Sequence, residues 1–149
     1  MRAVVQRVSR ASVDVGGERV AEMGEGLLAL VGVADTDDEA AADELARKLV
    51  HLRVFEDEAG KMNRSLLDTG GALGVVSQFT LLGDLRKGRR PSFGGAAAPE
   101  RAEPLVERVA ASARGEGVTV VTGRFRASMR VELVNEGPVT LLVDTEKLF

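Results

Sequence analysis

Apolar and polar residues alternate along Ala11-Ser12-Val13-Asp14-Val15, the period of a half-buried strand, and Gly16-Gly17 offers the positive φ angles of a two-residue turn before Glu18-Arg19-Val20-Ala21-Glu22-Met23. A β-hairpin is predicted. After Gly24 and Gly26 the run Leu27-Leu28-Ala29-Leu30-Val31-Gly32-Val33 is apolar on both faces, which fits a central strand covered on each side. Thr36-Asp37-Asp38-Glu39 reads as a capping box, and Ala42, Leu45, Ala46, Leu49 and Leu52 follow at helical spacing, so a helix is predicted over residues 37–50. A second helix should start at Pro99 and run to Gly115, because Ala102, Leu105, Val106, Val109, Ala110 and Ala113 form one apolar stripe.

Between these helices, Leu52-Arg53-Val54-Phe55 predicts a short strand, and Leu73-Gly74-Val75-Val76 a buried one that leads into Ser77-Gln78-Phe79-Thr80. Residues 83–98 form a long loop rich in Gly, Arg and Pro. Near the end, residues 129–134 alternate, Asn135-Glu136-Gly137-Pro138 is expected to turn the chain, and residues 139–143 to return as a strand. Strands outnumber helices. The expected fold is α+β: a curved, mostly antiparallel, barrel-like sheet with two main helices packed against it.

With 149 residues, 44% of them hydrophobic, the chain can supply one core, and a single domain over residues 1–149 is expected. The lack of cysteine excludes disulfide scaffolds, thiolate nucleophiles and Cys-ligated metal, and it fits a cytoplasmic setting. No apolar stretch is long enough for a signal peptide or a membrane span. A net charge of -3 argues against coating nucleic acid through the overall field, although Arg86, Lys87, Arg89 and Arg90 crowd one loop, and Arg124, Arg126 and Arg130 recur near the C-terminal strands.

The one histidine, His51, falls at the end of the first predicted helix, where a cation suits the helix dipole better than it suits a catalytic triad. No His and Asp cluster has metal-ligand spacing, so neither metal nor cofactor is expected. What remains is hydroxyls, one amide side chain and backbone groups, in Ser77-Gln78-Phe79-Thr80, in Arg90-Pro91-Ser92-Phe93 and around Gly137-Pro138. Taken singly, such segments usually satisfy local backbone or turn the chain.

Together they resemble something specific. Ser77-Gln78-Phe79-Thr80-Leu81, Arg90-Pro91-Ser92-Phe93 and Asn135-Glu136-Gly137-Pro138-Val139-Thr140 are similar, in order, to the signature segments of the D-aminoacyl-tRNA deacylases, formerly called D-tyrosyl-tRNA deacylases. Gln6-Arg7-Val8, Gly60-Lys61-Met62-Asn63 and Thr122-Gly123-Arg124-Phe125 extend the resemblance over nearly the whole chain. It implies hydrolysis of the ester of D-aminoacyl-tRNA, and of glycine mischarged on tRNA-Ala, with L-amino acids excluded. It implies a homodimer with active sites at the interface, where the Ser77 to Thr80 segment of one subunit faces a cis Gly137-Pro138 of the other.

By the same resemblance, Ser77, Gln78, Phe79 and Thr80 are the catalytic segment, with the main chain around Phe79 and Thr80 stabilising an oxyanion. Gly137, Pro138, Met129 and Phe93 are substrate-binding residues, Met129 toward the terminal adenosine. The loop bearing Arg86, Lys87, Arg89 and Arg90 gains a target in tRNA phosphates. Two rival readings stay open: an RNA-binding module without activity, and a metal-independent esterase for small molecules, for which the basic loop would have no purpose.

Overall fold

A computed structural model describes all residues, Met1–Phe149. The sheet is organised by its first strand, β1 (Arg2–Val15), which is long enough to pair with three others. Its second half forms the expected hairpin with β2 (Glu18–Met23), and its first half lies antiparallel to β3 (Gly26–Gly32). From β3 the sheet continues in parallel to β6 (Ala72–Ser77) and then to β7 (Val120–Thr122), so it is mixed. The edge strands β2 and β7 approach each other and nearly close a barrel.

Two apolar clusters follow from the two faces of β3. Leu27, Ala29 and Val31 join a large core with α1 (Glu39–His51) and α3 (Pro99–Gly115). Leu28, on the opposite face, packs inside the barrel with Val8, Val13, Met23 and Val76. The doubly apolar run is therefore a strand covered on both sides, as its sequence predicts. Helix α3 has the predicted limits, with Pro99 in its first turn.

Helix α1 starts two residues later than the capping-box reading. Asp38 caps it by accepting from the Ala41 amide at 2.9 Å, while the Thr36 hydroxyl donates to Glu146 at 2.9 Å. A long-range partner removes the hydroxyl from its local role. The strand expected over residues 52–55 shrinks to β4 (Phe55–Glu56), paired with β5 (Met62–Arg64), and a single helical turn, α2 (Leu66–Thr69), follows.

The largest departure is at the C-terminus. The chain does not reverse at Gly137-Pro138: β8 (Arg130–Asp144) runs on as one strand, antiparallel to β1 along both halves. Asn135 is opposite Val8 and Thr140 opposite Gln6, so four residues bulge out against a single intervening residue of β1. The segment that reads locally as a hairpin turn is a bulge, because its two flanks find the same partner strand.

Candidate active site

Strand β6 ends at Ser77, and residues 79–82 wind into one 3-10 turn whose first hydrogen bond runs from the Leu81 amide to the Gln78 carbonyl at 3.3 Å. The Gln78 amide is used by the Val31 carbonyl at 2.8 Å, which ties the turn to β3. The amides of Phe79 and Thr80 precede the first bond of the turn and have no backbone acceptor. These are the donors that an anionic oxygen can use. The side chain of Gln78 donates to the Thr80 hydroxyl oxygen at 2.5 Å, leaving the hydroxyl proton free to turn outward.

This turn forms one wall of a cavity of about 580 Å³, two-thirds of whose lining residues are apolar. Opposite walls come from distant parts of the chain. Phe93 packs its ring edge to face on Phe79, with centroids 5.0 Å apart and planes at 69°. Met129 enters from the segment before β8, and Gly123 makes room for it: a β-carbon at Gly123 would stand 2.7 Å from the Met129 sulfur. Ser77, Gln78, Phe79, Thr80, Phe93 and Met129 thus share one cavity, although 52 positions separate the first from the last.

No carboxylate, imidazole or amine side chain lines this cavity, and its one charged residue is Arg126. His51 is remote, ending α1 with its Nε2 at 2.6 Å from Glu116. No group of three or more His, Asp or Glu side chains converges anywhere. A hydroxyl in the cavity therefore has no side-chain base to take its proton.

The basic loop begins beside the same wall. Asp84 and Ser92 exchange backbone hydrogen bonds at 2.8 and 3.0 Å, closing a projection that carries Arg86, Lys87, Arg89 and Arg90 next to Phe93. Arg86 is not free: it grips Asp84 through both carboxylate oxygens, and these bonds, with one from the Arg86 amide, hold the Asp84 carboxyl at about 2. Lys87, Arg89 and Arg90 are exposed and pair with no carboxylate.

Gly137 and Pro138 are not brought to this cavity. They are exposed on the β8 bulge, joined by a cis peptide. A β-carbon at Gly137 would meet the Val139 amide nitrogen at 2.6 Å, so the bulge admits no side chain there. Asn135 holds its base, accepting from the Val139 amide at 2.8 Å and donating to the Val139 carbonyl and the Thr140 hydroxyl at 3.1 Å. Arg7 braces its crest by donating to the Glu136 carbonyl at 2.9 Å.

The sequence reading missed the contributions of Phe125 and Arg126, and of Ala96 and Ala97 on the loop before α3. The Thr122-Gly123-Arg124-Phe125 segment carried a signal for the first pair. The alanines carried none, since the Ala97 amide reaches the cavity wall by bonding the Val33 carbonyl at 2.9 Å, a pairing across the fold.

Comparison with known proteins bears on what this cavity serves. The family described as D-Tyr-tRNA(Tyr) deacylase matches residues 4–144. A D-aminoacyl-tRNA deacylase of Symbiobacterium thermophilum is 62% identical over 149 residues, spanning 100% of this chain and 99% of that protein. One from Thermomicrobium roseum is 60% identical over 99% of this chain and 96% of its own length. Among solved structures, a c-Myc DNA unwinding element binding protein superimposes with a TM-score of 0.92 at 39% identity, covering 97% of this chain and 99% of that one. A probable eukaryotic D-amino acid tRNA deacylase shares the fold at a TM-score of 0.80 and 20% identity, over 95% of this chain and 97% of its own.

Proposed function

The chain belongs to the D-aminoacyl-tRNA deacylase family, and from that premise we propose that it works as one domain whose cavity beside Phe79 and Thr80 positions the ester for attack by water, with no side-chain nucleophile. The activity is hydrolysis of D-aminoacyl-tRNA to free tRNA and the D-amino acid. What supports the location is the pair of acceptor-free amides at Phe79 and Thr80, at the edge of a mostly apolar cavity that lacks a general base.

An aminoacyl ester on ribose is already activated, and the neighbouring ribose hydroxyl assists the incoming water. Water adds to the carbonyl carbon, and the carbonyl oxygen becomes an oxyanion facing the Phe79 and Thr80 amides. Each well-placed donor of this kind stabilises the transition state by about 3–4 kcal/mol. Collapse expels the ribose oxygen, which takes up a proton originating from the attacking water. Ser77 and Thr80 shape the site, and Gln78 orients the Thr80 hydroxyl. Phe93 and Met129 enclose the terminal nucleoside.

The Gly137-Pro138 bulge does not line the cavity of its own chain, so a role for it in the reaction requires a second copy. We infer a homodimer in which the bulge of one subunit closes the cavity of the other. Its rigid backbone crowds the position of an L side chain, which excludes L-amino acids and leaves glycine, including glycine mischarged on tRNA-Ala, as a substrate. Lys87, Arg89 and Arg90 meet phosphates of the acceptor arm, with Arg86 fixing the base of their loop. The cytoplasm, where charged tRNA resides, is the site of action.

The direct test is a deacylation time course with D- and L-aminoacyl-tRNA. Loss of the D ester with the L ester spared supports the proposal. Binding of both without ester loss would favour an RNA-binding module instead.

A further inference from the structure

Residues 124–127 form a tight turn closed by a hydrogen bond from the Ala127 amide to the Arg124 carbonyl at 3.2 Å. Its third position has φ of +63°, a left-handed conformation for which glycine is favoured, yet the residue there is Arg126. A long cation in a glycine position is not explained by the turn. Nor is it explained by local pairing. Arg124, two residues earlier, has Glu18 at 3.6 Å, and Arg130 is opposite Asp14 in the β1 to β8 ladder, whereas Arg126 has neither an ion pair nor a side-chain hydrogen bond.

Arg126 is also the one charged residue lining the cavity, and it is exposed at the cavity's edge, in the same turn as Phe125 and close to Met129. The chemistry of the substrate limits what this guanidinium can meet. In an aminoacyl ester the carboxyl is neutral and the α-amino group is cationic, so the aminoacyl part repels it or ignores it. The anions nearest the ester are the phosphates of the acceptor end, which a guanidinium binds well.

We propose that Arg126 binds the phosphodiester joined to the terminal nucleoside while that nucleoside occupies the cavity. This rests on the deacylase reading and adds to it a contact that distinguishes polynucleotide from free nucleoside. Arg126 acts in binding and leaves the chemical step untouched.

The test compares D-alanyl-tRNA with the D-alanyl ester of adenosine, which lacks phosphate, using the Arg126→Gly and Arg126→Lys variants of the full chain. Glycine suits the left-handed position, so Arg126→Gly should keep or raise the melting temperature. Its KM for D-alanyl-tRNA should rise roughly tenfold, as for loss of one charge-assisted hydrogen bond, with kcat unchanged. Its KM for the adenosine ester should not move. The dependence of log KM on log salt should flatten by about 0.7, the value for one single-strand phosphate, and Arg126→Lys should recover most of the affinity. An unchanged KM for the tRNA, or an equal loss on both substrates, would overturn the assignment. Failure of the unmodified protein to cleave either ester would overturn the deacylase reading, and the phosphate contact with it.

Discussion

The Gln78 side-chain amide donates to the Thr80 hydroxyl at 2.5 Å, and no base stands behind that hydroxyl in the cavity. In the proposed mechanism Thr80 serves as a donor and does not attack the ester. Replacing Thr80 by Ala should lower kcat by about tenfold, the effect of one lost hydrogen bond of ~1.4 kcal/mol. A loss of more than about a thousandfold, beyond 4 kcal/mol, would mean that the hydroxyl attacks the ester. Single-turnover rates with D-aminoacyl-tRNA decide between them.

His51 and metal chelation form a second test. His51 is exposed at the end of α1 and touches only Glu116 in this way, at 2.6 Å. His51→Ala should leave turnover intact and change stability by less than about 1 kcal/mol, as for a surface pair. Prolonged treatment with EDTA should be equally harmless. A loss of turnover above about a hundredfold in either experiment, ~2.7 kcal/mol of transition-state stabilisation, would refute a mechanism built on backbone donors.

Asn135 supports the bulge through bonds to both the amide and the carbonyl of Val139. Asn135→Ala should destabilise the protein by about 1–3 kcal/mol, because it strands a partly buried amide. If the bulge closes a partner's cavity, two defective chains should rescue each other. A Gly137→Ala chain mixed with a Thr80→Ala, Gln78→Ala chain gives heterodimers with one intact site, so activity should rise above that of either alone. No gain on mixing, with heterodimers demonstrated, contradicts the shared site.

The α1 to α3 contact gives a pH dependence. Arg108, first, and Ser112, second, bond the Asp43 carboxylate and hold its pKa at about 2, below its ordinary 3.8. A carboxyl depressed by folding contributes stability that is present above 3.8 and is lost as pH falls toward 2. Asp43→Asn should melt at a lower temperature than the unmodified chain at pH 7, and the gap should close between those two values. A gap that persists at the lower pH would show that the effect comes from packing instead of charge.

Much of this was legible in the sequence wherever one residue's neighbours are local. The stripe from Ala102 to Ala113 with Pro99 ahead of it marks α3 to the residue. Thr36 misled because its partner, Glu146, is 110 positions away, and Gly137-Pro138 read as a turn because the shared pairing of its flanks with β1 is not a local property. The cavity shows the same division. Ser77 to Thr80 and Phe93 stood out by motif and Met129 only through the family resemblance, whereas Arg126 is placed by a turn whose preferred residue is glycine, and Ala97 by a bond to Val33 across the fold.

Glycyl-tRNA separates stereochemical exclusion by the bulge from recognition of the D side chain. If the bulge acts by crowding the position of an L side chain, it needs no contact with the D side chain, and glycine, with hydrogen at both positions, meets no obstacle. Deacylation of D-alanyl-, glycyl- and L-alanyl-tRNA should be followed side by side, with uncatalysed ester loss subtracted. The expected result is rapid loss of the first two and survival of the third, a single methyl group separating substrate from non-substrate. Glycyl-tRNA as resistant as L-alanyl-tRNA would contradict exclusion and require a pocket that recognises the D side chain itself.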